Sequence, residues 1–255
     1  MDKQTRRAFL NTVWQSGLSV ALTKFASVAP LAGLTLSGTS LTSQAVDFGF
    51  GSIPKKLPDD KSIFEMSGKV YVDGQRANKD SFIKASSLVE TKSNSHVIFK
   101  VGKDAHILRE NSRMQLEGSN VVETGLNLLT GKVLSVFGER QSNEKATTIR
   151  TTTATIGIRG TGVYAESDPD KSYLCTCYGK TLISAKTDPK QNEAIKASHH
   201  DAPRFILKSP EKGKLIIPAP VFNHTDEELM LIEAIVGRES PISAIQGYSS
   251  PRRGY

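Results

Sequence analysis

The chain has only two cysteines, and they stand one residue apart in Cys175-Thr176-Cys177. Thiolates are soft ligands, and an extended strand turns residues i and i+2 to one face, about 6.6 Å apart along it. The pair can therefore supply half of a soft-metal site. Two histidines follow in His199-His200-Asp201-Ala202-Pro203-Arg204, just ahead of another β-prone run. Adjacent strand residues face opposite ways, so either His199 or His200 can join Cys175 and Cys177 while the other faces solvent. Pro203 keeps Ala202 extended and fixes the approach. Zinc or copper would be the natural occupant, with the other histidine, Asp201 or water as fourth ligand. Three plainer readings stand beside this one. The thiols can be small apolar core groups, they can close a disulfide in an oxidising compartment, and the histidines can be surface turn residues.

Other chemistry is absent from the sequence. Gly160-Thr161-Gly162-Val163-Tyr164-Ala165 fits a loose dinucleotide fingerprint, but β-prone residues follow where a helix should begin. Gly179-Lys180-Thr181 has the tail of a phosphate loop, but Leu174 occupies the position of its first glycine. No GxSxG, HExxH or EF-hand pattern occurs, and the acidic residues are scattered. The expectation is a non-enzymatic protein.

These residues sit in a chain of 255, enough for one good-sized domain with appendages. The formal charge is +7, but residues 1–45 hold Lys3, Arg6, Arg7 and Lys24 against Asp2, leaving about +4 for the rest. No run of five or six like charges occurs, and Lys and Glu are interspersed, which argues against a nucleic-acid partner. Thr5-Arg6-Arg7-Ala8-Phe9-Leu10 resembles the twin-arginine export motif. The weakly apolar stretch after it is broken by Lys24 and Pro30, so it does not read as a transmembrane span. Ser43-Gln44-Ala45 supplies a small-x-small cleavage pattern. The expectation is a leader over 1–45 cleaved near Ala45, export to the periplasm, and a linker over 46–61.

From 62 to 217 the sequence reads as many short β segments with turns every 8–12 residues. Lys69–Val72 runs into Asp73-Gly74, a hairpin signal. Further segments are expected at Phe82–Val89, His96–Val101, His106–Leu108, Arg113–Leu116, Leu126–Leu129 and Lys132–Phe137. Others are expected at Thr147–Thr155, Gly162–Ala165, Tyr173–Tyr178, Thr181–Ala185, Arg204–Leu207 and Leu215–Ile217. Over 218–255, Thr225-Asp226-Glu227-Glu228 forms a capping box, Leu229, Ile232 and Val236 give an apolar stripe, and Gly237 stops the helix. One short helix and a mobile tail are predicted there.

The stretch Thr147–Thr161, ending Ile158-Arg159-Gly160-Thr161, resembles the signature of FecR-type domains, in which a Thr-rich strand leads into an Arg-Gly-Thr turn. Leu126–Phe137 resembles the family's strand pair with Gly131 at the turn, and Ser95–Leu116 resembles its paired strands around Gly102-Lys103-Asp104. The likeness covers Lys61 to Ala185. It implies an all-β FecR-type domain in which Arg159, Gly160 and Thr161 form a structural turn, Arg159 capping backbone carbonyls. Cys175 and Cys177 depart from the family, whose matching strand ends in an acidic-Gly turn. The family's sigma-factor regulators need a cytoplasmic segment and a spanning helix, so that role does not carry over. The resulting expectation is an exported β-domain protein that binds a protein or cell-wall partner, with or without a bound metal. The alternative is a metal-carrying or redox protein working through the Cys/His cluster.

Overall fold

The computed structural model describes residues 54–140 and 146–244. Arg6 and Arg7, the leader with its cleavage point at Ala45, and the tail beyond residue 244 lie outside the described residues. Strands account for 54% of the structure, with one short helix, so the all-β expectation holds. No helix among the described residues is long and apolar enough to cross a membrane.

In chain order the strands are β1 (Ile63–Ser67), β2 (Val70–Val72), β3 (Gln75–Arg76), β4 (Leu88–Thr91), β5 (His96–Val101), β6 (Asp104–Leu108) and β7 (Arg113–Ser119). After them come β8 (Val122–Val136), β9 (Thr147–Arg150), β10 (Ala154–Ser167), β11 (Lys171–Ala185), β12 (Asn192–Ala197), β13 (Arg204–Glu211) and β14 (Lys214–Pro218). The helix α1 spans Asp226–Ile235, and a 3₁₀ turn covers Pro241–Ala244. Asp73 and Gly74 both take positive φ between β2 and β3, the backbone of a tight hairpin.

Three long strands organise everything else. The first half of β8 pairs with β7 and, in parallel, with β9; its second half pairs with β6 and β10. The first half of β10 pairs with β9, and the second half with the end of β8. The start of β11 pairs with β13, while its end pairs with β12. Each long strand therefore belongs to two half-sheets, one at either end. Between these half-sheets lies a large apolar cluster that includes Phe99, Met114, Leu126, Val163, Leu174 and Ile206. The outer face of the second half-sheet carries another cluster, which α1 covers with Leu229, Ile232 and Ile235.

The half-sheets decide which of the expected segments are continuous. Leu126–Leu129 and Lys132–Phe137 are one strand, and so are Tyr173–Tyr178 and Thr181–Ala185. The glycines Gly131 and Gly179, which look like turn residues, instead take positive φ (90 and 91) within β8 and β11 where they pass between half-sheets. Conversely, Thr147–Thr155 is two strands, because Thr151 and Ala154 bond each other across a corner. Phe82–Val89 is strand only from Leu88; the Ser87 N–H donates to the Lys84 carbonyl and closes a turn there. The strand β3 is the return arm of the expected Asp73-Gly74 hairpin, whereas β1 and β12 fall outside the expected segments.

The Arg159-Gly160-Thr161 element is also corrected: it is a bulge inside β10 and not a chain reversal. The register jumps between Arg159↔Lys180 and Gly162↔Tyr178, with Gly160 at φ +53. The Arg159 side chain is exposed, and the Thr161 hydroxyl takes the role assigned to it. That hydroxyl lies 2.7 Å from the Arg159 carbonyl and 3.0 Å from the Lys180 carbonyl.

Candidate metal centre

Cys175 and Cys177 lie on the outer face of β11, under α1, together with Tyr173 and Tyr178. Both are free thiols and fully buried. Their strand is irregular at this point. Cys175 faces Tyr164 and Thr176 faces Val163, but Tyr178 faces Gly162, so Cys177 is the extra residue of a bulge. A bulge leaves a residue outside the ladder and can re-aim its neighbours. The Cys177 carbonyl accepts the His200 N–H at 2.9 Å, which pins the second segment of the site to the first.

His199 and His200 do not lie in a strand, so the expected opposite facing fails. They sit in a turn between β12 and β13, with Asp201 Oδ2 accepting N–H bonds from Ser198 (2.7 Å) and His199 (3.2 Å). His200 is held at φ +54, unusual for a residue with a side chain. Its Nδ1 comes 3.3 Å from Cys175 Sγ. His199 turns instead to Asp226, Nε2 to Oδ2 2.9 Å. The cysteines therefore meet His200 and not His199, and Asp201 is occupied in the turn.

A residue the sequence reading missed completes the group. His224 Nε2 lies 3.0 Å from His200 Nδ1, and Cys175, Cys177, His200 and His224 place one donor atom each within 4.8 Å of one another. All four residues are buried. The histidine nitrogens facing away are engaged as well: His224 Nδ1 lies 2.7 Å from the Phe222 carbonyl and His200 Nε2 2.8 Å from Asp226 Oδ1. A carbonyl only accepts, so His224 Nδ1 carries a hydrogen, which leaves Nε2 as the ring's ligand atom, aimed inward. A carboxylate on His200 Nε2 does the same for Nδ1. Two lone pairs 3.0 Å apart, beside two sulfurs, need a cation or a proton between them.

Electrostatics matches that need. The Cys175 thiol is pulled well below its ordinary range by a hydrogen bond from Cys177, with His200 and His224 adding to the effect against burial. Burial pushes the Cys177 thiol well up, and Cys175 adds to it. Burial also opposes charge on His200, but Asp226 and Cys175 outweigh it and raise its pKa to about 9. Without a metal, a proton on His200 fills the role of the cation.

The segment bearing His224 is fixed by its own contacts. Thr225 caps α1, with Glu228 closing the capping box. Arg109, which directly follows β6, donates to the Asn223 carbonyl (2.7 Å) and to Glu228 (2.9 Å). Tyr164 stacks on the His224 ring at 4.6 Å and 14°. Asn223 donates to Glu166 at 2.8 Å.

No family model matches the chain. No curated protein matches it either. Among solved structures, two crystal structures of a protein from Parabacteroides distasonis, provisionally described as an anti-sigma factor, align with TM-score 0.42 at 9% and 10% identity. The likeness spans 52% of this chain and 58% of that one, a little over half its length.

Nothing local ties His224 to the cysteines, because it lies far along the chain from them, in front of the capping box of α1. One signal existed. The chain has five histidines, and this one directly precedes a helix N-cap, where the backbone is locally fixed.

Proposed function

We propose that this chain is a non-enzymatic cell-envelope β domain that holds one zinc- or copper-class ion at Cys175, Cys177, His200 and His224 and binds a protein or cell-wall partner. The observation that carries the metal reading is the convergence of four buried donors from three separate segments, with both histidines hydrogen-bonded from behind. A tetrahedral ion with bonds of about 2.0–2.3 Å sets its ligands about 3.3–3.8 Å apart. The 3.0 Å and 3.3 Å separations present need only small adjustment. Four protein ligands with no open position make a structural site, one that ties α1 and the 198–203 turn to the sheet.

Elemental analysis of the purified protein tests this reading: one equivalent of metal is expected, lost in Cys175→Ser and His224→Ala and kept in His96→Ala. Metal-free wild type, purified under reducing conditions and after zinc supplementation, overturns it. A redox role draws on the lowered Cys175 thiol, but thiol exchange requires a partner to reach sulfurs that are here fully buried.

Export belongs to the same proposal and rests on Arg6-Arg7 and Ser43-Gln44-Ala45. Replacing Arg6 and Arg7 by Lys should leave the uncleaved protein in the cytoplasm; normal export of that variant refutes the assignment. The FecR-type reading rests on Ile158–Thr161 and the strands around it.

A further inference from the structure

Beside the buried cluster stands a second donor set that shares one residue with it. His199, His200 and Asp226 also place one donor each within 4.8 Å of one another. His200 belongs to both sets, with Nδ1 toward the sulfurs and Nε2 toward Asp226. The four inner residues are buried, whereas the His199 side chain keeps 13% of its surface exposed. For orienting His200 a single carboxylate oxygen is enough, and Oδ1 does that. The other oxygen, Oδ2, meets His199, which contributes nothing to the inner site.

We propose that His199 and Asp226 form an outer landing site through which a divalent transition-metal ion reaches the buried cluster, with His200 common to both sets. The inference rests on the metal-site reading above. Two imidazoles and a carboxylate hold zinc-class ions with positions left for water, as an ion arriving from solvent requires. The inner set adds two thiolates, which soft and borderline ions prefer, so transfer inward is downhill. A landing site acts on rate alone. Removing it slows loading and release together and leaves the equilibrium affinity where it was.

The test uses Co²⁺ on the full chain, stripped by chelator under reducing conditions, with sulfur-to-cobalt charge-transfer absorption reporting arrival at Cys175 and Cys177. His199→Gln keeps an N–H for Asp226 but removes the imidazole; His199→Ala serves as second variant, and thermal unfolding checks that both fold. Loading and chelator-driven release should both slow by about tenfold, the scale of an outer-ligand deletion, with affinity unchanged. Unchanged rates overturn the landing site. So does weakened affinity with faster release, which would make His199 a positioning residue for Asp226. Wild type that gives no cobalt–sulfur absorption overturns the metal-site reading itself, and the landing site with it.

Discussion

Gly160 and Gly179 meet where β10 and β11 pass from one half-sheet to the other, and they differ in their freedom to change. Gly160 sits at φ +53, and a Cβ there would meet the flexible Glu139 side chain at 3.2 Å. Gly179 sits at φ +91, and its Cβ would lie 2.6 Å from the Gly160 carbonyl oxygen, which is backbone and cannot move aside cheaply. Gly160→Val should cost about 1–3 kcal/mol from backbone strain alone. Gly179→Val should cost more, in urea unfolding of both variants; the reverse order would mean that strain and not contact governs the crossing. At this scale the sequence was partly legible. Cys175 and Cys177 could be placed on one face because strand geometry is local. His200 could be named but not separated from His199, because the turn that orients them depends on the Asp201 carboxylate and the Cys177 carbonyl. Joining His224 and Asp226 to the cysteines was beyond reach, since tertiary packing alone brings α1 to them.

The helix α1 has two tasks that its sequence shows only in part. Its capping box and its Leu229/Ile232 stripe are local signals, so its existence and start could be read directly. That His224 and Asp226 flank the cap, one facing each donor set, could not. Thr225→Ala should therefore cost about 1 kcal/mol, the usual worth of an N-cap. It should also weaken metal retention by about tenfold, as loss of a positioning contact does. Titration with a competing chelator separates the two effects, and loss of stability with unchanged retention would show that Arg109 and Tyr164 hold His224 without the cap. The strands follow the same division. Alternating segments such as Val133–Phe137 were visible because period two is local. Whether two segments fuse through Gly131 or Gly179 depends on the half-sheets they join. The sequence sets the segments, and the long-range pairings decide which of the glycines between them are turns.

Across the whole molecule, stability divides between the two apolar clusters. The inner one carries an ionisable strain of its own: Glu123 and His106 form a buried pair at 2.9 Å, with Ser135, Asp104 and Arg140 around them. Burial raises the Glu123 carboxyl above its ordinary 4.5, with Asp104 adding and His106 and Arg140 opposing. A raised group holds its proton more tightly folded than unfolded, so its contribution is full below about pH 4.5 and is lost as pH rises through the folded value. Glu123→Gln should remove that slope, and thermal midpoints from pH 5 to 8 should fall less in the variant than in wild type; identical slopes would refute it. On the proposed metal site, the outer cluster draws part of its stability from the bound ion. A bound ion at about a thousand times its dissociation constant adds about 4 kcal/mol of stability. That stabilisation acts where the ligands are, on α1 and the 198–203 turn, whereas β4, β7 and the first half of β8 are fastened by the inner core. Chelation under reducing conditions should therefore not unfold the chain uniformly. Hydrogen exchange should speed up by orders of magnitude across 198–203 and 224–236 while amides at 88–91 and 113–118 keep their protection. Equal loss of protection everywhere would mean that both clusters fold as one unit. No change at 224–236 would mean that α1 is held by Leu229, Ile232 and Ile235 alone and that the four donors bind no ion that matters to the fold.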